Sequence, residues 1–286
     1  MKKKNLLKIN SSEPWVESLL FKEILKKKNK NIQEKAKKFN RDGYVIIDLK
    51  LSKKFINNTI DDIKKIAQDR DAKKNPDIYH YNDSPRIIEA YKKSKNILNL
   101  CTNKIIINLL NEFYEKKPIP INSINFIKGT DQPLHSDYIH FSSNPHKYLA
   151  AAWIALEKTD ENNGALIVVP GSHKLDIIDY SLFKLKTPTS MMELSKFYSI
   201  YEEYIRQVVK LNKFKTKTVK LKPGQAIIWA ANLLHGGKKI VNKDRTRFSQ
   251  VIHYHFEKSN FIYNPGFSKP LEGKYAYRNI NQLRII

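Results

Sequence analysis

Three side chains that could share one metal ion stand at two separated places in the chain. His135 and Asp137 lie two residues apart in PLHSDYIHF, and His235 follows about a hundred residues later in KPGQAIIWAANLLHG. An extended segment places residues i and i+2 on one side, so His135 and Asp137 can face the same ion. Two imidazoles and one carboxylate form the facial triad of non-heme iron sites, which leaves metal positions open for small ligands. The pattern predicts a mononuclear iron site.

An arginine and a hydroxyl follow the second histidine at strand-like spacing. Arg247 and Ser249 open the segment RFSQVIHYHF, where alternate residues of a strand point to one face. A guanidinium beside a hydroxyl is a receptor for a carboxylate. The pair therefore predicts a site for the far carboxylate of a 2-oxo acid that chelates the metal. Arg245 is the competing candidate, and Arg247 is preferred because it alone has a serine two residues later.

The composition indicates a globular protein of a reducing compartment. Hydrophobic residues make up 41% of the 286 residues, which is enough for a sizeable core. The single cysteine, Cys101, excludes an internal disulfide framework and is interpreted as a small buried side chain. No run approaches the ~20 apolar residues that span a bilayer, and the N-terminal segment lacks the apolar stretch of a signal peptide. We therefore expect a cytoplasmic protein with no membrane association.

The formal net charge of +24 raises the question of an anionic partner. The basic residues are 44 Lys against 8 Arg, and the lysine runs lack the arginine forks and interleaved aromatic residues of base and phosphate readers. We interpret most of the charge as a solvated surface and expect a small-molecule substrate and no specific nucleic acid. A preference for anionic small substrates stays open, and so does the choice between monomer and homo-oligomer.

Helical patterns dominate the N-terminal part of the chain. Residues 12–40 are lysine-rich and helical in pattern, residues 44–47 form a strand-like run, and Ser52 is placed to cap an amphipathic helix. Residues 73–86 are rich in turn formers and predict a loop, and residues 87–115 predict a second helical block. This part is expected to support the segments that follow.

Short strand-like runs alternate with turns after Pro118. They cover residues 121–127, 148–156, 165–169, 215–221, 226–229 and 247–256. Several short strands at this spacing predict an all-β barrel or sandwich. A mostly helical insert over residues 175–212 interrupts them. Because no repeat or long linker divides the chain, we expect one domain over 1–286, with helical support at 1–117, the strands at 118–258 and a C-terminal tail at 259–286.

Two blocks of the sequence resemble the phytanoyl-CoA dioxygenase (PhyH) family of Fe(II)/2-oxoglutarate-dependent oxygenases. The first runs from HSDYIHF through AAWIALEKTDENNGALIVVPGSHK, with the family's spacing from His135 to Trp153. The second runs from KPGQAIIWAANLLHGG through RTRFSQVIHYHF, and the upstream FNRDGYVIIDL is similar to the family's entry strand. The resemblance implies an α+β, mainly β fold: a double-stranded β-helix (jelly-roll, cupin-like) barrel with N-terminal packing helices and a helical insert near its mouth.

The resemblance also implies roles for the residues singled out above. His135, Asp137 and His235 would bind Fe(II) and carry the catalysis. Arg247 would bind the distal carboxylate of the cosubstrate 2-oxoglutarate, with Ser249 assisting.

Four more residues are candidates for contacts around the iron. Trp153 matches a family tryptophan near the cosubstrate, and Asn125, on the strand before the metal motif, is a further candidate cosubstrate contact. Tyr138 and His140 flank the motif and are candidate substrate contacts.

The other conspicuous residues are interpreted as structural. His173, in PGSHK, is assigned to a turn, and Trp229 is assigned to the core. His253 and His255 alternate on the strand after Arg247 and are assigned to packing or to the lining of the pocket.

The activity that follows from the resemblance is an Fe(II)/2-oxoglutarate-dependent dioxygenase. It would consume O2 and hydroxylate an aliphatic C–H of a small, anionic or carrier-linked molecule, releasing succinate and CO2. Relatives that halogenate replace the metal-binding carboxylate with a small residue, so Asp137 favours hydroxylation. Two alternatives stay open: a non-catalytic module that binds or senses a metal and a 2-oxo acid, and an oxygenase acting on nucleic acid. The substrate, and the choice between hydroxylation and desaturation, are not encoded in any recognised motif.

Overall fold

Helices form a layer at the N-terminal side of the fold. The computed structural model describes residues 13–68, 78–81, 84–178, 180–183, 191–263 and 276–277. The helices are α1 (Phe21–Leu25), α2 (Lys30–Asp42), α3 (Lys53–Gln68), α4 (Lys95–Cys101), α5 (Lys104–Tyr114) and α6 (Met191–Leu211). The predicted cap at Ser52 is confirmed, because its hydroxyl accepts a hydrogen bond from Phe55 N at 3.2 Å at the start of α3.

Strands form the greater part of the chain that follows. They are β1 (Tyr44–Asp48), β2 (Ile78–Tyr81), β3 (Ser84–Ile88), β4 (Pro118–Phe126), β5 (Phe141–Asn144), β6 (Leu149–Ala155), β7 (Leu166–Val168), β8 (Lys217–Val219), β9 (Gln225–Ala230), β10 (His235–Gly237), β11 (Ser249–Phe256), β12 (Asn260–Tyr263) and β13 (Ala276–Tyr277). One sheet has seven strands in the order β1-β9-β6-β11-β4-β3-β2. Two further sheets have three strands each, in the orders β10-β7-β8 and β13-β12-β5. All of their pairings are antiparallel.

The two faces of the large sheet contact different partners. Along β6, Ala150, Ala152 and Ile154 join a core cluster with the N-terminal helices. The alternate residues Ala151 and Trp153 join a second cluster with β7 and β8 of the small sheet. The side chains of a strand alternate between faces, so a single strand joins the helical layer to the second sheet. The metal motif lies on the side of the second cluster.

The predicted helical insert is present as α6, a helix of 21 residues. Phe197, Tyr201 and Ile205 are buried along one side of it, at the spacing of successive helical turns. They form a cluster with Ile139 and Leu234, which stand close in sequence to the metal motif and to His235. The insert is therefore packed against both segments that carry the candidate ligands.

Several predicted boundaries were wrong. The predicted loop at 73–86 contains β2 and the start of β3, while residues 73–77 lie outside the described part. The predicted helical block at 87–115 begins within β3, and helices start only at Lys95 and Lys104. The C-terminal tail at 259–286 stays a prediction, and of its described residues Asn260–Tyr263 form β12, which pairs with β5. These strands are short and irregular in pattern, and pairing with neighbours distant in sequence determines them.

The described helices differ from a membrane-spanning helix. Within the described ranges, none is both long and apolar enough to cross a bilayer.

Candidate metal centre

The two histidines of the centre are joined through their own backbones. His135 N donates to His235 O at 2.9 Å, and His235 N donates to His135 O at 2.9 Å. The same segment is held again where Asp137 N donates to Ala231 O at 2.9 Å. One potential ligand atom from each of His135, Asp137 and His235 lies within 4.8 Å of the others, and all three residues are buried. These three residues, about a hundred positions apart in sequence, can therefore hold one metal ion.

Both imidazoles are oriented by backbone carbonyls. His135 Nδ1 lies 2.8 Å from Pro133 O, and His235 Nδ1 lies 2.9 Å from Leu233 O. A carbonyl only accepts hydrogen bonds, so each Nδ1 carries the proton and each Nε2 is left as an acceptor. At His135 this acceptor lies 3.2 Å from Gln132 Nε2. Burial, together with the neighbouring His235 and His140, holds the pKa of His135 well below its usual range. The neutral imidazole that results is the form that binds a metal.

The carboxylate of Asp137 has different partners at its two oxygens. Trp229 Nε1 donates to Oδ2 at 2.9 Å. His235 Nε2 lies 3.6 Å from Oδ1, and His253 Nε2 lies 3.3 Å from the same oxygen. Burial alone would raise the pKa of Asp137, but the nearby His235 and His253 outweigh it and hold this pKa below its usual range. The carboxylate is therefore ionised, with Oδ1 on the side of the histidines.

Neighbouring segments approach the metal motif closely because glycines permit it. A Cβ on Gly236 would lie 2.7 Å from Gln132 O, and one on Gly237 would lie 3.0 Å from Asp131 N. Any larger residue would push the two backbones apart. The segment before His235 is held from the other side, where Leu234 N donates to Ser172 Oγ at 2.9 Å.

Arg247 lies in the protein interior and has few partners. It is 2% exposed, and its guanidinium carbon lies 5.2 Å from the ring centroid of Trp153 and 5.8 Å from that of Phe126. One terminal nitrogen donates to Gly164 O, whereas Nε has no hydrogen-bond partner. Burial and the charge of Arg86 lower the pKa of Arg247 to about 10, so it remains a cation at neutral pH. No salt bridge to it is found among the described residues. A buried cation in this state is costly unless an anion joins it.

The competing Arg245 already has a carboxylate partner. Its guanidinium donates to both oxygens of Asp160, at 2.8 and 3.0 Å, and its side chain is 34% exposed. The preference for Arg247 as the carboxylate receptor therefore has a physical reason that the spacing alone did not supply.

The other predicted cosubstrate contacts differ in position. Trp153 faces Arg247, as given above, on the side of the second core cluster. Ser249 is buried, and its hydroxyl donates to Arg247 O at 3.2 Å, so it contacts the backbone of the arginine. Asn125 is not brought to the site. Its amide donates to Gln250 Oε1 at 3.2 Å, and Gln250 in turn contacts Cys101 of α4. The alternation along β4 turns Asn125 to the helical layer, which corrects that expectation.

The two residues predicted to contact substrate lie in different parts of the structure. His140 lies beside the centre, with its ring centroid 5.6 Å from that of His135 and its Nδ1 3.0 Å from the hydroxyl of Tyr198. Tyr138 is fully buried in a different cluster, where Lys147 N donates to its hydroxyl at 2.6 Å. The described contacts of Tyr138 are those of a packed side chain and give no support for a role at the rim.

Three further histidines have contacts that support the structure. His173 is buried, and its Nε2 lies 3.1 Å from Asn40 O of α2. His255 lies 3.0 Å from Ser259 Oγ, at the far end of β11. His253 is closer to the chemistry than expected, because it contacts Asp137 and its Nδ1 lies 2.7 Å from Asn122 Oδ1.

Sequence reasoning missed three residues that contribute to the site. Trp229 was assigned to the core, and nothing in the run AIIWAA showed that its indole reaches Asp137. Arg86 falls in the segment predicted as a loop; it is buried, donates to Gln132 Oε1 at 3.2 Å and lies 5.7 Å from the Phe126 ring. Tyr201 of the insert accepts a hydrogen bond from Ser136 N at 2.9 Å. Each contact joins residues far apart in sequence.

Fold and site together define a class of protein: a mainly β structure that can hold a mononuclear metal with two histidines and an aspartate, and that also buries an arginine. The chain matches the phytanoyl-CoA dioxygenase (PhyH) family over residues 39–248, well over half of its length, and it belongs to that family. The predicted family is thus confirmed.

A curated relative agrees with this assignment. The peroxisomal phytanoyl-CoA dioxygenase of Homo sapiens is 25% identical over 185 residues, which cover 62% of this chain and 50% of that protein. The chain therefore matches about half the length of this relative.

The solved structures that are similar to the chain share its fold. The epimerase SnoN in complex with Fe3+, alpha ketoglutarate and nogalamycin RO has a TM-score of 0.62 and 17% identity, and covers 87% of this chain and 96% of its own. EctD from S. alaskensis with 2-oxoglutarate and 5-hydroxyectoine has a TM-score of 0.63 and 17% identity, and covers 84% of this chain and 80% of its own.

Proposed function

We propose that the protein is an Fe(II)/2-oxoglutarate-dependent dioxygenase that hydroxylates an aliphatic C–H of a small molecule. The observation that carries the proposal is the convergence of His135, Asp137 and His235 within 4.8 Å in a buried site. Family membership and the iron and 2-oxo acid bound by the similar structures support it.

The residues present suit ferrous iron. Two imidazoles and one carboxylate are the ligand set of the facial triad, and each histidine has its Nδ1 engaged, which leaves Nε2 for a metal. At His135 the ion would take the place of Gln132 Nε2, which lies 3.2 Å from His135 Nε2. His135 Nε2, His235 Nε2 and Asp137 Oδ1 would hold the ion. Iron and 2-oxoglutarate, when bound, supply the oxidising chemistry, in which O2 is consumed and the 2-oxo acid is converted to succinate and CO2 while the substrate gains one oxygen.

The buried arginine suits a dicarboxylate cosubstrate. Arg247 offers an unpartnered Nε beside the Trp153 ring, and a carboxylate would satisfy both its hydrogen bonding and its charge. Trp153 would form one wall of that site. Ser249 would support it indirectly by holding the backbone of Arg247.

The chain's own contribution to the reaction is orientation and the exclusion of water. Trp229 fixes Asp137 by holding Oδ2, which leaves Oδ1 for the metal. Backbone carbonyls fix both imidazole rings, so little rearrangement is needed when a ligand binds. His140, next to His135 and the insert, is the proposed contact on the substrate side.

We also propose that the described sheets are the walls of a double-stranded β-helix in one domain. The second sheet packs against the large sheet through Leu166, Val168 and Val219, and the His135–His235 bridge lies beside this contact. The substrate is proposed to be a small, anionic or carrier-linked molecule because the formal net charge is +24.

The experiment that tests the function combines the purified protein with Fe(II), 2-oxoglutarate, air and a metabolite extract. The expected result is a compound that gains the mass of one oxygen, together with succinate, only when protein, iron and 2-oxoglutarate are all present. The matched control is Asp244→Ala, which alters an exposed carboxylate away from the metal ligands and should keep both products. Absence of any oxidised product and of succinate with the unaltered protein would favour a binding or sensing module instead.

A further inference from the structure

The helical insert touches the metal motif through one buried hydroxyl. Tyr201 of α6 is fully buried, and its hydroxyl oxygen accepts a hydrogen bond from Ser136 N at 2.9 Å. Ser136 is the residue between His135 and Asp137. The contact spans 65 residues of sequence and lies between two of the three candidate metal ligands.

All three backbone N–H groups of the motif have defined acceptors. His135 N donates to His235 O, and Asp137 N donates to Ala231 O, each at 2.9 Å. The acceptor for Ser136 N is the only one of the three that belongs to a side chain, and it comes from the insert. A buried N–H without an acceptor is costly, so this hydroxyl restricts how the peptide between the two ligands can turn.

Further contacts place the same helix around the centre. Tyr201, Phe197 and Ile205 pack with Ile139 and Leu234, which lie two residues after Asp137 and one residue before His235. One turn earlier on the helix, the Tyr198 hydroxyl lies 3.0 Å from His140 Nδ1. The helix thus contacts the chain on both sides of the ligand set.

We propose that Tyr201 is a positioning residue for the metal centre, which makes the insert part of the metal-binding machinery. Its hydroxyl sets the orientation of the His135–Asp137 segment before metal binds. This inference depends on the proposed function, in that the same three residues must bind the metal.

The test is a comparison of Tyr201→Phe with Tyr204→Phe. The first removes only the hydroxyl that accepts from Ser136. The second removes a hydroxyl from the same helix at a residue that is 40% exposed and packs on Phe183. Co(II) is titrated into each metal-free protein, with the dissociation constant and the visible absorption spectrum of the bound ion as readouts. Neither readout requires 2-oxoglutarate, substrate or turnover.

Tyr201→Phe is expected to weaken Co(II) binding roughly 10-fold or more and to change the absorption spectrum, as for other outer partners of metal ligands. Tyr204→Phe is expected to match the unaltered protein in both. Equal affinity and spectrum in the two variants would overturn the inference, even if Tyr201→Phe melted at a lower temperature. If the unaltered protein bound no Co(II), the proposed function would fail with it, whereas normal binding with an unaffected Tyr201→Phe would refute the positioning role alone.

A second measurement covers the case in which Tyr201→Phe does not fold. Amide hydrogen exchange of the unaltered, metal-free protein should show the Ser136 N–H protected to an extent similar to its neighbours at 135 and 137. Exchange of the Ser136 amide at the rate of an unstructured peptide, next to protected neighbours, would overturn the inference without any variant.

Discussion

The metal end and the arginine end of the proposed cosubstrate site differ in how far their polar groups are satisfied. At the metal end, each histidine has a backbone acceptor and Asp137 receives the Trp229 indole. At the other end, Arg247 is buried with an unpartnered Nε and donates to a single carbonyl. One end is organised by the protein itself, and the other is left incomplete by it.

The difference indicates what each end requires from a ligand. The candidate metal ligands are held by neighbours that also hold the fold, so an ion would enter a largely formed site. The guanidinium lacks the anion that a buried cation needs, so the cosubstrate itself would complete the structure there. We therefore expect changes at the metal end to alter metal binding, and changes at the arginine end to alter the 2-oxoglutarate requirement alone.

The largest effect is expected for Asp137→Ala. Removal of the carboxylate takes away one of three metal ligands and the acceptor of Trp229, so metal affinity should fall by more than the ~10–100-fold typical of outer partners. Hydroxylation should be lost. Calorimetric titration with Fe(II) under nitrogen measures the affinity, and a fully active variant would refute Asp137 as a ligand.

Arg247→Ala should affect the arginine end and leave the metal end unchanged. Loss of a buried charge partner costs ~2 kcal/mol or more, so the KM for 2-oxoglutarate should rise about 30-fold or more while Fe(II) affinity stays unchanged. The control is Arg245→Ala, which breaks a partly exposed pair with Asp160 and should change this KM by less than about threefold. If Arg245→Ala has the larger effect, the assignment of the two arginines is reversed.

Trp229→Phe tests how Asp137 is positioned at the metal end without removing a metal ligand. It deletes the N–H that holds Asp137 Oδ2 and keeps most of the ring, so Fe(II) affinity is expected to fall roughly 10-fold. Trp15→Phe is the matched control, because the Trp15 indole also donates a hydrogen bond, at 2.8 Å to Glu112 O, but within the helical layer. Equal Fe(II) affinities of the two variants would refute the role of Trp229 in positioning Asp137.

The smallest expected effect is on the free energy of unfolding. It concerns His173 and depends on pH. Burial, with a contribution from Lys174, lowers the pKa of His173 to about 4. Its folded-state pKa lies below the unfolded value of ~6.5, so its contribution to stability is complete above pH 6.5 and is lost as the pH falls towards 4. Relative to His173→Gln, the free energy of unfolding of the unaltered metal-free protein should decrease by ~1–2 kcal/mol between pH 7 and pH 5. Denaturant titrations of both proteins at each pH measure the difference, and a difference independent of pH would contradict it.

Local patterns in the sequence predicted several helices and strands of the fold well. The caps and apolar spacing located α3 at Lys53–Gln68, and the alternation of short runs located β6, β9 and β11 to within a few residues. The insert at residues 175–212 was predicted to be mostly helical, and α6 occupies Met191–Leu211 of it. Such signals arise within one element and need no knowledge of its neighbours.

The features that could not be predicted depend on which elements pack against each other or pair in a sheet. Arg86 was hidden in a segment read as a loop, since pairing with β4 determines its strand. The alternation of β4 was visible, but the face towards the metal was not, and so Asn125 was assigned to the wrong side. Trp229 and Tyr201 contact the metal motif across 92 and 65 residues, and no local pattern encodes such contacts. The candidate triad could be predicted because His135, Asp137 and His235, followed by Arg247 and Ser249, form an ordered pattern typical of iron sites, and the family resemblance supplied further long-range information.

The most direct test of the central claim is a crystal structure of the protein grown without oxygen, with Fe(II) and 2-oxoglutarate, and with anomalous data collected at the iron edge. We expect one iron peak bound by Nε2 of His135, Nε2 of His235 and a carboxylate oxygen of Asp137, with the far carboxylate of 2-oxoglutarate on Arg247. An iron peak elsewhere, or none between these three side chains, would contradict it.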